Sequence, residues 1–280
     1  MNSNKHQFQA IAWIAIPRTG TNFLCALLKH HPAIIAYYEI FHSEKFYAGI
    51  HNQPELIIKN FNQKYNFSFV SYEDSALLDW IHNNPQDVLT TLIELNPQKL
   101  IIFKLFPDQL NLELLKKNII DNDRIAKILV KRNLLDSYIS HEIAQISGFW
   151  HNYDTSNICL TLSIEKFIDW AKWAKTWYDL FENKISQDTI TNATIDYETI
   201  HQKKTNTDKL AYLDRIFHDI GIHFSIPYSL PNLENINLEN INSFPKRQDR
   251  RYNLADKITN YNEFIEELKK TDWYDLAIKN

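Results

Sequence analysis

Short apolar, β-branched runs at Ala10 to Ile16, Leu100 to Lys104, Ala126 to Val130 and Thr189 to Asp196 alternate with longer segments of helical periodicity. That alternation leaves little choice of architecture. The runs lack a polar face, so each predicts a strand buried on both sides, as in a parallel sheet rather than an antiparallel one. The helical patterns lie at Phe23 to His30, Leu134 to Ile146, Ile164 to Phe181 and Asp208 to Ile220, which supplies cover for both faces. The expected fold is a three-layer α/β domain with a central parallel sheet. The stretch Phe41 to Pro97 lacks a convincing strand and reads as helices inserted ahead of the Leu100 strand. All 280 residues are expected to form a single domain carrying that insertion at about 41–97. Ser225 to Pro245, rich in Asn and Pro, reads as an ordered surface loop. A basic patch at Lys246, Arg247, Arg250 and Arg251 follows it, and a last helical segment runs from about Asn260 to Lys270.

Charge and cysteine content exclude several functional classes. A formal net charge of -4 offers no general attraction to nucleic acid or anionic lipid, so any anion site must be local. Two cysteines, Cys25 and Cys159, exclude a disulfide scaffold and a four-cysteine zinc site, and both are expected to be buried, reduced thiols. The apolar run from Ala10 is too short to cross a membrane and has no signal-peptide cleavage pattern, so a cytoplasmic location is expected, with no membrane and no nucleic-acid partner.

The first strand runs into Pro17-Arg18-Thr19-Gly20-Thr21-Asn22 and then an amphipathic helix. A strand, a tight turn at glycine and a helix start bring backbone N–H groups and a helix dipole to one point, which suits an anion. A Thr-capped strand-to-helix turn is the plain alternative. The only glycines are Gly20, Gly49, Gly148 and Gly221, so neither a Gly-Lys-Ser/Thr phosphate loop nor a dinucleotide fingerprint fits. The turn resembles the 5′-phosphosulfate loop of sulfotransferases that use 3′-phosphoadenosine 5′-phosphosulfate (PAPS). A second segment, Lys131-Arg132-Asn133-Leu134-Leu135-Asp136-Ser137-Tyr138-Ile139-Ser140, resembles the 3′-phosphate segment of the same family, with Arg132 and Ser140 as the matched ligands. An Arg at a strand end offers a planar fork to phosphate, and the following helix can bring a hydroxyl to the same group. Paired instead with Asp136, Arg132 would be an ordinary surface residue. A third segment, Thr194-Ile195-Asp196-Tyr197-Glu198-Thr199-Ile200, is similar to the family's strand end that holds adenine, which gives Tyr197 that role.

The resemblance implies PAPS as donor, PAP as product, a P-loop-like sulfotransferase fold and no metal. Arg18, Thr19, Gly20, Thr21, Asn22, Arg132, Ser140 and Tyr197 would bind the donor, with Lys246 and Arg247 closing on the 3′-phosphate or simply lying in solvent. Arg18 is expected to stabilise the leaving phosphate. Where animal cytosolic enzymes of the family carry a Lys-Thr-His-x-Pro base, this chain reads Lys104-Leu105-Phe106-Pro107, and phenylalanine accepts no proton. The segment Tyr37-Tyr38-Glu39-Ile40-Phe41-His42 resembles the Glu-x-Phe region of bacterial and glycan enzymes, which makes Glu39 the expected general base and His42 the second choice. Lys104 is expected to orient donor or acceptor. Phe149-Trp150-His151-Asn152-Tyr153 either walls the acceptor pocket or plugs a loop, while Trp170, Trp173 and Trp177 fall at helical spacing and read as core.

The acceptor is expected to be a small molecule sulfated on a hydroxyl or on an amine or guanidine nitrogen. Among members of the family the chain resembles bacterial tailoring sulfotransferases of secondary metabolism, including those acting on saxitoxin-type alkaloids. The competing functions are an ATP-dependent phosphotransferase, against which the missing Gly-Lys-Ser/Thr counts, and a nucleotide-binding module without catalysis.

Overall fold

A computed structural model of the chain describes residues 8–29, 31–150, 153–185, 193–222, 249, 251 and 253–278. Five strands form one parallel sheet: β1 (Ala10–Ile14), β2 (Ile34–Ala36), β3 (Leu100–Leu105), β4 (Ile125–Lys131) and β5 (Ala193–Asp196), in the order β2-β3-β1-β4-β5. β1 lies at the centre, registered Ala12↔Phe103 on one side and Ala12↔Lys127 on the other. The fold is α/β, with helices on both faces.

Alternation along β1 explains the two layers of cover. Ala10, Ala12 and Ile14 face one core, which they share with Phe61, Leu77, Leu92, Trp177 and Phe181. Ile11 and Trp13 face the other, shared with Leu24, Leu27, Leu213 and Phe217. Successive strand side chains point to opposite faces, so an unbroken apolar run feeds both. The helices, in chain order, are α1 (Thr21–Leu28), α2 (Pro54–Tyr65), α3 (Ser75–Asn83), α4 (Pro85–Leu95), α5 (Leu112–Leu115), α6 (Leu134–Ser147), α7 (Ile164–Ile185), α8 (Tyr197–His201), α9 (Asn206–Asp219), α10 (Tyr261–Leu268) and α11 (Tyr274–Ile278). Between β2 and β3 the chain runs through α2, α3 and α4, and Pro54 and Pro85 each open a helix in its first turn, where the missing N–H costs nothing. α2 and α3 pack their aromatic rings together, with Phe61 and Trp80 centroids 5.1 Å apart.

Three sequence expectations need correction. β2 has no counterpart among the expected strands, because its three residues are too few to show a period. The first strand ends at Ile14 rather than Ile16, since Ala15 and Ile16 already lead into the turn. Cys159 is exposed: it sits on an irregular segment, where its Sγ accepts from Arg251 Nη1 at 3.4 Å. Residues 189–192 of the expected last strand, and the Asn- and Pro-rich loop from Ser225 to Pro245, lie outside the described residues.

Parallel strands put all their carboxyl ends on one rim. The chain leaves β1 towards β2 and leaves β4 towards β5, so the connections diverge between these two neighbours and open a crevice at their carboxyl ends. The turn at residues 17–20 and the start of α6 both fall there.

Candidate active site

The turn after β1 takes its shape from two left-handed backbone positions. Gly20 caps α1 with φ of 82°, and it supplies no capping side chain to the helix amides. A side chain could not be placed there, since a Cβ on Gly20 would lie 2.2 Å from Cε2 of Tyr197. Arg18 also has a positive φ, 73°, a left-handed conformation that costs a non-glycine residue about 1–2 kcal/mol. Arg132 Nη1 donates to the Arg18 carbonyl at 2.9 Å and fixes the turn in that shape. The Thr19 hydroxyl, expected as a ligand donor, is buried and donates to the Ile16 carbonyl at 2.9 Å. A hydroxyl so engaged has no proton left to donate to an anion.

One side of the turn meets α6. Asn133 caps that helix, its side chain accepting from the Asp136 amide at 2.9 Å, and its own amide donates to Glu198 Oε1 at 3.2 Å. Arg18 Nε donates to Ser140 Oγ at 3.0 Å, and its Nη1 donates to the Trp150 carbonyl. The Arg132 guanidinium lies 4.7 Å from the centroid of the Tyr197 ring, while its buried Nε has no hydrogen-bond partner. Burial, and after it the charge of Arg132, lower the pKa of Arg18 to about 10. Two guanidinium groups from distant parts of the chain are therefore pressed together in a setting that disfavours positive charge. Tyr197 packs on Gly20 and tilts against His201, with centroids 4.1 Å apart, so in this structure its ring supports the turn.

The other side of the turn meets β3. Lys104, at 1% exposure, donates to Asn22 Oδ1 at 2.6 Å and to Glu39 Oε1 at 2.8 Å. Gln109 Nε2 donates to the second Glu39 oxygen at 3.3 Å. A lysine buried so completely needs such partners, because an unpaired charge there would cost several kcal/mol. Glu39 keeps 20% of its side chain exposed, so the pair is not sealed from solvent on that side. His42 engages its own loop instead: its Nδ1 accepts from the Glu44 amide at 3.1 Å and its ring meets Tyr47 edge-on.

Sequence reasoning missed Gln109 and His141, and considered Asp136 only as a surface partner of Arg132. Gln109 fixes the free end of Glu39. Asp136 takes an ion pair from Arg132 at 4.0 Å and another from the buried Lys257 at 3.6 Å. His141, next to Ser140, has its pKa lowered by burial and then by Arg18; its ring lies 5.7 Å from that of Trp150 and its Nδ1 is buried without a partner. The aromatic run ahead of α7 stays near the surface, with Phe149 and Tyr153 stacked 3.9 Å apart at 44% and 47% exposure. Trp150 reaches the site through its carbonyl. Trp177 is core, as its spacing indicates, while Trp170 also touches the His141 ring at 6.2 Å. In the basic patch, Arg251 is a structural pin: it pairs with Asp249 at 2.9 Å and donates to the carbonyls of Ile158 at 2.7 Å and Asp256 at 2.8 Å. Lys246, Arg247 and Arg250 lie outside the described residues, as do His151 and Asn152. Among the described residues there is no group of three or more His, Cys, Asp or Glu placed to hold a metal ion, and no helix long and apolar enough to cross a membrane.

No family model matches the chain, and no curated protein matches it in sequence. Among solved structures it is similar to the sulfotransferase STF1 from Mycobacterium tuberculosis H37Rv, with a TM-score of 0.45 and 12% sequence identity, over 78% of this chain and 68% of that one.

Proposed function

We propose that this chain is a sulfotransferase that takes the sulfuryl group of PAPS and places it on a small acceptor. One observation carries the reading: a single turn with open helix amides has a guanidinium pair on its α6 side and a buried lysine–carboxylate pair on its β3 side. A donor phosphorylated at both ends needs two cationic positions with an anion-binding turn between them, and transfer from it needs a carboxylate close to the turn. The three segments that resemble the PAPS-dependent family contribute Arg18 to Asn22, Arg132 with Ser140, and Tyr197 to this arrangement.

In the proposed step the acceptor hydroxyl or amine approaches Glu39 from the crevice and displaces Gln109, which makes the longest of the contacts on the carboxylate. The acceptor atom forms a bond to sulfur as the bond from sulfur to the bridging phosphate oxygen breaks. The acceptor proton passes to Glu39, and the electron pair of the broken bond leaves on the 5′-phosphate of PAP. Lys104 sits against Asn22 of the turn, where a cation offsets that growing charge. The exposed pair Phe149 and Tyr153 offers an apolar wall for the acceptor. An acidic chain tolerates a cationic acceptor, and a saxitoxin-type alkaloid belongs in the panel on that ground.

The test is transfer of label from ³⁵S-PAPS to a panel of alcohols, phenols, amines and guanidines in the presence of EDTA. Labelled product without divalent metal supports the proposal. Phosphate transfer that requires ATP and magnesium would replace it with a phosphotransferase, and PAP binding without transfer to any acceptor would leave a binding module.

A further inference from the structure

We infer that Arg18 and Arg132 together hold one dianionic phosphate, and that Arg18 makes the site require a nucleotide phosphorylated on the 3′-oxygen of its ribose, rather than stabilising the leaving group at the sulfuryl end. The inference rests on the proposed use of PAPS and deepens it.

Three observations point to it. First, Arg18 turns towards α6: its Nε reaches Ser140 Oγ at 3.0 Å, two helical turns along from the strand end that carries Arg132. An anion accepting from Ser140 would thus meet the Arg18 fork as well. Second, the Nε of Arg132 is buried and has no acceptor, although a buried donor in a folded chain is nearly always paired. Third, positive charge gathers here. Arg132 and the buried Lys257 share the carboxylate of Asp136, at 4.0 and 3.6 Å, and Arg132 is the charge that acts most strongly against ionised Arg18. Among the described residues nearby, Glu198 accepts from the Asn133 amide and Asp249 is paired with Arg251. A phosphate carrying nearly two negative charges at neutral pH relieves the repulsion and gives the unpaired donor its acceptor. The cation on the opposite side of the turn is Lys104, held by Asn22, so the two charged ends of the donor fall to different residues.

Calorimetry and ligand-observed NMR with three nucleotides separate the assignments: PAP, 3′-AMP and 5′-AMP. Arg18→Gln is expected to weaken PAP and 3′-AMP by about 30-fold, the loss of one or two charge-assisted hydrogen bonds, and to leave 5′-AMP within about twofold. Arg18→Lys, which keeps the charge but not the fork, is expected to lose less on the same two ligands. An unchanged thermal unfolding midpoint for Arg18→Lys excludes misfolding as the cause. Equal weakening of PAP and 5′-AMP would overturn the inference and place Arg18 on the 5′-phosphate, while leaving the sulfotransferase reading intact. Failure of the unaltered chain to bind PAP would overturn both.

Discussion

The Lys104–Glu39 pair allows a sharp test by mutation in both directions. Lys104 is at 1% exposure while Glu39 retains 20%, so the two partners differ in what they leave behind. Glu39→Gln removes the carboxylate that pairs with the buried Lys104 ammonium group; breaking a buried pair in that way costs about 3–5 kcal/mol. Lys104→Met leaves a carboxylate that still accepts from Gln109 and still touches solvent, a cost closer to about 1–2 kcal/mol. For a chain of this length each kcal/mol corresponds to about 2 °C in Tm. Differential scanning calorimetry should therefore show Glu39→Gln melting roughly 6–10 °C below the unaltered protein, and Lys104→Met roughly 2–4 °C below it. The double variant supplies the decisive comparison. With Lys104 already replaced by methionine the neutral amide strands no charge, so Lys104→Met/Glu39→Gln should be more stable than Glu39→Gln alone. Additive losses, or a Glu39→Gln variant no worse than Lys104→Met, would show that the charges are not coupled and that Lys104 does not depend on Glu39.

Three further outcomes follow from the geometry. Gly20→Ala combines a positive φ with a Cβ 2.2 Å from the Tyr197 ring; it should lower stability by about 2–3 kcal/mol and weaken PAP binding by titration, and a normal melting curve would refute the close approach. His141 has a folded-state pKa below its ordinary 6.5, so the unfolded chain takes up its proton first. Stability should fall as pH drops through the interval below 6.5, and His141→Asn should flatten that dependence in denaturant titrations at stepped pH; identical slopes would rule out the buried neutral ring. Iodoacetamide on the native protein, followed by peptide mass spectrometry, should modify the exposed Cys159 and leave Cys25, whose thiol is pushed by burial to about 12; prompt labelling of Cys25 would contradict its place on the buried face of α1.

Much of the frame is legible in the residues. Unbroken apolar runs declare strands buried on both faces, and β1, β3 and β4 lie where those runs fall. The start of α6 announces itself through Asn133, a capping side chain immediately after a strand. β2 escapes notice because three residues at a sheet edge carry no period. At the site, residue types point to an anion turn, and the family resemblance adds that Phe106, just after β3, stands where a base would be. It cannot show where side chains turn. Arg18 lies beside Thr19 and Gly20 in the chain, yet its side chain reaches Ser140, 122 residues away. Lys257 and Gln109 belong to no motif, since their roles arise from contacts between distant elements. Thr19 illustrates the reverse error: a hydroxyl in a phosphate-like turn suggests a ligand, whereas the fold turns it inward to finish the strand.

Because every strand points the same way, the segments that follow β1, β4 and β5 meet on one part of the rim and those that follow β2 and β3 on another. Under the proposed function, recognition of the nucleotide and handling of the incoming group would draw on separate stretches of chain, which meet where Lys104 bonds Asn22 and where Cys25 of α1 bonds the Tyr37 carbonyl. Replacing the three helices between β2 and β3 would reshape one task while leaving the residues of the other in place. Asn22 joins the turn after β1 to the end of β3 through Lys104, and so is one side chain through which movement on either half is felt by the other.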